Sequence, residues 1–167
     1  WNSLLQGRSG IGPITLCETE GFPCRIAGEV KHFDPTNYMD VKESKRMARF
    51  SQLAVSAARG AVEQSGLNLE MEDRERLGIV LGTGIGGLPT TEEGVKALLS
   101  KGGMRVQPYL IPMILPNMAA AAISRIWGIK GYSSTVITAC AAGTQAIGEG
   151  VELIRRGVSD VVVSGGT

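Results

Sequence analysis

Histidine, aromatic residues and cysteine are scarce in this 167-residue chain, which has one His, three Cys and only 5% aromatic residues. Cys17, Cys24 and Cys140 show no C-x-x-C spacing, and only His32 is available to join them, so neither a metal site nor a disulfide framework is expected. Charge of one sign is also missing. Seventeen Lys and Arg face 16 Asp and Glu for a net charge of +1, which argues against nucleic acid as a partner. No apolar run approaches the roughly 20 residues of a membrane span. The chain opens at Trp1 with no basic, apolar leader, and the expectation is a soluble, cytoplasmic protein that does not engage membranes. What is there is 43% hydrophobic and 20% charged content, ample for one globular domain over residues 1–167.

Residues 7–24 hold Gly7, Gly10, Gly12, Pro13, Gly21 and Pro23, turn chemistry that predicts a loop. Residues 24–30 alternate as a strand, and Asp34-Pro35 starts a turn. Phe50, Leu53, Ala54, Ala57, Ala58, Ala61 and Val62 form a helical stripe of mostly small residues, ended by Gly66. Residues 77–81 read as a buried strand of a parallel sheet, followed by a helix over about 89–100. Residues 113–127 contain Pro116 and the run Ala119 to Ala122, and predict a helix that opens near the proline and ends before Gly128. The β-branched run Ser134 to Thr138, a helix after Cys140 and a strand over 160–164 predict a βαβ unit, with Glu152 placed to pair with Arg156. The class is α/β, layered as helix, sheet, helix.

The stretch Ser133 to Gly150, S-S-T-V-I-T-A-C-A-A-G-T-Q-A-I-G-E-G, sets Cys140 where a strand turns into a helix. Gly143, Ile147, Gly150, Val151 and Ile154 are read as one face of that helix. Its unpaired N–H groups and positive dipole end favour the thiolate, the nucleophilic form, at that position. The small residues Ala139, Ala141, Ala142 and Gly143 leave room for a carbonyl to approach, and the Cys140 N–H can donate to the oxyanion that attack creates. A small, inert residue at a tight turn satisfies the same spacing.

Gly131, Val136, the run Ala139-Cys140-Ala141-Ala142-Gly143 and Ile147 fill an active-site signature that resembles that of the β-ketoacyl synthases. K-E-S-K-R-M-A-R-F from Lys42, G-T-G-I-G-G from Gly82, P-N-M from Pro116 and V-S-G-G from Val163 fit the same family in order, across essentially the whole chain. Ile85 within G-I-G-G and the form T-A-C-A-A-G resemble the bacterial-type synthase II. The resemblance implies a thiolase-like fold with a mainly parallel sheet. It further implies that residues 1–167 are an amino-terminal part incomplete at both ends, with Trp1 to Leu5 resembling the tail of the family's first helix.

The activity implied is that of a 3-oxoacyl-[acyl-carrier-protein] synthase, an acyltransferase of fatty-acid synthesis with no cofactor. Cys140 would accept an acyl group from acyl carrier protein and then condense it with malonyl carrier protein, using histidines and a lysine of the family's second half. His32 has no role that the resemblance assigns. Ile85 is implied as a gate of the acyl pocket, with Leu110, Ile111 and Leu115 lining it across a homodimer interface. Lys42, Lys45, Arg46 and, more remotely, Arg105 are implied as docking positions for the acidic carrier protein. Plainer readings of these residues are core packing and a solvated helix face. Alternatives in function are a polyketide ketosynthase, a thiolase-like acyltransferase, or a catalytically inert chain-length or partner subunit.

Overall fold

The structure, a computed structural model, describes residues 1–167 and divides them into two units, Trp1–Asp34 and Pro35–Thr167. The first holds helix α1 (Asn2–Leu5) and a hairpin of β1 (Ile11–Pro13) with β2 (Ile26–Gly28), paired antiparallel. Part of the expected loop is therefore strand, and the strand expected over 24–30 is shorter. The Glu29 carboxylate accepts from the Thr15 N–H (2.8 Å), the Thr15 hydroxyl (2.7 Å) and the Leu16 N–H (3.2 Å). These bonds, led by that from the Thr15 N–H, hold the Glu29 carboxyl below its ordinary pKa.

The second unit begins with α2 (Val41–Ser44), whose N-cap Asp40 accepts from the Lys42 and Glu43 N–H groups. Helix α3 (Arg49–Ser65) ends at Gly66 in the left-handed conformation expected of a glycine C-cap. Then follow β3 (Leu77–Gly82), α4 (Leu88–Lys101), α5 (Leu110–Ile114), α6 (Met118–Trp127), β4 (Ser133–Val136), α7 (Ala142–Arg155) and β5 (Val161–Gly166). The helix expected to open near Pro116 and end before Gly128 is α6, and the short helix α5 precedes it. Pro112 falls in the first turn of α5, where its missing N–H leaves no bond unmade, and Pro116 forces Leu115 into an extended conformation (ψ 130) that separates α5 from α6.

The sheet runs in the order β4-β3-β5 with both pairings parallel. β4 and β5 thus flank β3, and the unit predicted from β4, α7 and β5 straddles a third strand. Every residue of β3 is buried, as both faces are covered. Leu77, Ile79 and Leu81 face a core built with Val55 and Ala58 of α3 and Ala119, Ala120 and Ile123 of α6. Val80 faces Ala146 and Leu153 of α7. The layers are α3 with α6, the sheet, then α7. Full burial of Ile79, Val80 and Ile123 stabilises this unit by roughly 1.5–3 kcal/mol each.

Two helix faces differ from expectation. On α3 the buried line is Ser51, Ala54, Val55 and Ala58, while Ala57 and Ala61 are exposed. On α7 the residues turned to the sheet are Ala142, Ala146, Gly150 and Leu153, whereas Ile147, Val151 and Ile154 are exposed. The cause is close approach. A Cβ on Gly82 would lie 2.1 Å from the Ala142 carbonyl oxygen, one on Gly143 3.3 Å from the Gly166 Cα, and one on Gly150 3.3 Å from the Ser164 Cβ. Only small side chains fit between α7 and the sheet along most of its length.

At the opposite end of the sheet, Arg76 Nε donates to Asp160 (2.8 Å) and Nη1 to the Gly157 carbonyl (2.8 Å), while Nη2 pairs with the other Asp160 oxygen. The hydrogen bonds from Arg76 hold the Asp160 carboxyl below its ordinary pKa. A carboxyl with a lowered folded-state pKa stabilises the fold above its unfolded value, and that contribution disappears as pH falls through the folded one. Asp160→Asn is therefore expected to lower the urea midpoint at pH 7. The gap from the parent should close by about pH 2, and a gap that persists there would refute the assignment. Glu152 pairs with Arg155 at 2.9 Å, one residue short of the Arg156 expected.

Candidate active site

Gly82 of β3 is in register with Val136 of β4, so the loops that follow both strands leave the sheet at the same end. The ladder is extended there by the Thr83 N–H to the Val136 carbonyl (3.0 Å) and the Thr167 N–H to the Gly82 carbonyl (2.9 Å). Cys140 lies in the loop after β4. Its short 3-10 turn, Ala139–Ala141, runs directly into α7. The turn is closed by the Ala141 N–H on the Thr138 carbonyl at 3.1 Å.

Cys140 is exposed, as are Ala139 and Ala141 on either side. No side chain caps the N-terminus of α7, whose N-cap is Ala141. The amides of the first turn therefore keep their donor capacity, and the positive end of a 14-residue helix begins two residues after Cys140. The expected geometry of strand, tight turn, cysteine and helix is present.

The tightness of that turn is visible in the backbone. Ala139 has φ +48, a left-handed conformation that disfavours any residue with a Cβ by roughly 1–2 kcal/mol. Ala139→Gly is expected to raise stability by about 0.5–1 kcal/mol, since the strain relieved exceeds the extra chain entropy lost. Chemical denaturation checks this. A destabilised Ala139→Gly would mean that the turn is not strained at this residue.

The loop after β3 carries Ile85, which is 63% exposed. The next two residues seat the loop on α5: the Gly87 N–H donates to the Ile114 carbonyl (3.2 Å), and a Cβ on Gly86 would meet that same oxygen at 2.8 Å. This contact brings the Ile85 loop against the segment that holds Leu110, Ile111 and Leu115. Leu110 is half-buried over Gly94 of α4, whereas Ile111 and Leu115 are exposed.

Lys42, Lys45 and Arg46 are all exposed on and just after α2. The Arg46 guanidinium stacks over the Tyr109 ring, 4.9 Å from its centroid, next to Leu110. Arg105 shares a cleft with Glu93, Gln107 and Leu110. Arg46 thus meets Tyr109 and Arg105 lines a cleft with Leu110, the next residue, while Lys42 is on α2 and Lys45 at its C-cap.

Three residues near this corner escape a reading from sequence. Arg125 of α6 pairs with Glu43, Tyr109 receives Arg46, and Ser51 is buried with no hydrogen bond to its hydroxyl. Only Ser51 left a signal, a hydroxyl one turn ahead of Ala54 and Val55 at helical spacing. No helix of the structure is long and apolar enough to cross a membrane.

Comparison with known proteins bears directly on this arrangement. The family model for the β-ketoacyl synthase N-terminal domain matches residues 1–167. A 3-oxoacyl-[acyl-carrier-protein] synthase 2 of Staphylococcus aureus is 41% identical over all of this chain, which covers 41% of that relative. Its counterpart from Synechocystis sp. is 42% identical, again over 100% of this chain and 40% of the relative. Among solved structures, the ishigamide ketosynthase/chain length factor superposes with a TM-score of 0.89 at 34% identity, covering 99% of this chain and 41% of that one. A type II polyketide ketosynthase, solved with its acyl-carrier protein and bound to a hexaketide, gives 0.79 at 30% identity over 83% of this chain and 40% of its own. The chain spans about 40% of the length of the curated relatives it matches. With its three-layered α/β fold, its cysteine turn and a family model that runs from the first residue to the last, the chain belongs to the β-ketoacyl synthases.

Proposed function

We infer that the chain carries the acyl-accepting part of a 3-oxoacyl-[acyl-carrier-protein] synthase of fatty-acid elongation, with Cys140 as nucleophile. The observation that carries this reading is an exposed cysteine at the uncapped N-terminus of α7, at the end of the sheet where the Ile85 loop also emerges. The names of the relatives at 41% and 42% identity support it.

In this reading the Cys140 thiolate attacks the thioester carbonyl of an acyl carrier protein. The carbonyl electrons pass to oxygen, where the Cys140 N–H donates to them. Collapse breaks the bond to the carrier sulfur, which leaves as the thiol with the proton that Cys140 gave up. Exchange of one thioester for another is near thermoneutral and keeps the acyl carbon electrophilic. The second half-reaction, attack by the carbanion that malonyl carrier protein forms on losing carbon dioxide, needs donors for an enolate oxygen. The unit that holds Cys140 contains no histidine, so those donors come from outside residues 35–167.

Ile85 gates the acyl chain in this proposal, and Leu110, Ile111 and Leu115 line its path where two copies of the enzyme meet. The exposure of Ile85, Ile111 and Leu115 and the docking of their two segments support that role. Lys42, Lys45, Arg46 and Arg105 receive the acidic carrier, which orients it and speeds encounter. The enzyme acts in the cytoplasm as a homodimer. A polyketide ketosynthase is the second reading, favoured by solved structures of that kind at 30% and 34% identity. A chain-length subunit is disfavoured by the presence of Cys140.

The test is intact-mass spectrometry of the protein incubated with palmitoyl carrier protein. A single added acyl group that maps to Cys140 is expected. Acylation elsewhere, or none by a folded sample, overturns the assignment.

A further inference from the structure

Beside the candidate active site, α2, α3, α5 and α6 enclose a separate groove of about 390 Å³, within the size range of small-molecule sites. Its apolar part is formed by Met47, Pro112, Met118, Ala121 and Ala122. Its charged part consists of Arg46, Arg125 and Glu43, with Tyr109 beside them.

Two features of this groove are unlike ordinary surface. Ser51, only 2% exposed, lines it with a hydroxyl that has no hydrogen-bond partner. Buried hydroxyls are normally satisfied, and this one, closed to solvent and without a partner, gains one only from an occupant that presses into the groove wall beside it. The charges are also unequal. Glu43 is paired with Arg125, while Arg46 is held against the Tyr109 ring without a carboxylate partner, which leaves one net positive charge. A stacked guanidinium keeps N–H groups in its plane free to take an anion.

We propose that this groove is a binding site for a small amphipathic monoanion: an anionic group at Arg46, an apolar body against Met47, Met118 and Ala122, and a hydrogen-bonding group that reaches Ser51. One net positive charge fits a monoanion better than a dianion, and an apolar wall excludes inorganic anions as good ligands. The site makes no use of Cys140 and stands whether or not that residue is a nucleophile. Its occupant would hold Arg46, one of the residues proposed above to receive the carrier.

The probes are straight-chain monocarboxylates of four to ten carbons and the matching ω-hydroxycarboxylates, titrated into the Cys140→Ala protein by heteronuclear NMR. At one chain length the ω-hydroxy acid should bind about three- to tenfold more tightly than the plain acid, with shifts at Ser51 and Ala122. Ser51→Ala should abolish that preference. Arg46→Gln should weaken every carboxylate at least about fivefold and leave the corresponding diols unchanged. The preference of the Cys140→Ala protein itself needs neither the Ser51 nor the Arg46 substitution, so it remains a test if either of them unfolds the protein. Absence of saturable binding up to millimolar probe, a hydroxyl preference that survives in Ser51→Ala, or carboxylate affinity indifferent to Arg46→Gln would each overturn the proposal.

Discussion

Gly82→Ala is expected to destabilise the Pro35–Thr167 unit by about 3 kcal/mol or more, the upper end of overpacking effects. The added methyl would stand 2.1 Å from the Ala142 carbonyl oxygen and 2.6 Å from the Gly143 nitrogen. Both are backbone atoms of the first turn of α7. No rotamer change can relieve the contact, so either β3 or the helix must shift, and β3 is fixed on both edges by β4 and β5. The helix will move, and Cys140 moves with it. Loss of stability in urea should therefore be accompanied by loss of thiol reactivity toward acyl donors even at temperatures where the variant is folded. Gly84→Ala is the control, because a Cβ there meets nothing within 4 Å. Equal stabilities for the two alanine variants would show that the close approach of α7 does not exist in solution.

Cys140→Ser is expected to lower acyl transfer from a carrier thioester by at least about a thousandfold while leaving the fold intact. The hydroxyl needs a base to remove its proton, a contribution of about 10²–10⁴ where one is present. No histidine occurs in the unit that holds the turn. Serine also converts the product from a thioester into an ester, a poorer acceptor for a carbanion. Single-turnover mass spectrometry measures the rate, and a serine variant within tenfold of the parent would remove Cys140 from the nucleophile's role. Cys140 is solvent-exposed, so the substitution should shift the denaturation midpoint little.

Those two sites were unequally legible. The cysteine turn could be read from the local order of residues, because β-branched residues stop at Thr138 and small residues follow. Gly66 and Gly128 were legible as helix stops for the same local reason, and both are left-handed in the structure. What the sequence hid was distance between layers. Ile147, Val151 and Ile154 have the spacing and bulk of a core face, yet the glycine contacts pull α7 so near the sheet that Ala142, Ala146 and Gly150 take the inside. Aliphatic periodicity marks a buried face only when the neighbour stands far enough away to admit the side chains. The stacking of Arg46 on Tyr109 is 63 positions long-range, and no local pattern encodes such a pair.

β3 is buried throughout, yet its two partners come late in the chain: Val161 pairs with Leu77 and Ser133 with Ile79. During synthesis at about 5–20 residues per second, Leu77 to Gly82 waits on the order of 3–10 s for β4 and roughly 4–17 s for β5. Until β4 is made, a strand of Leu, Ile, Val and Gly has neither edge paired, and one edge stays open until β5 follows. Codon usage between residues 83 and 161 therefore sets how long a nascent aggregation-prone strand stands open. Slow stretches there should raise the demand for a ribosome-associated chaperone, although the finished protein would be chemically the same.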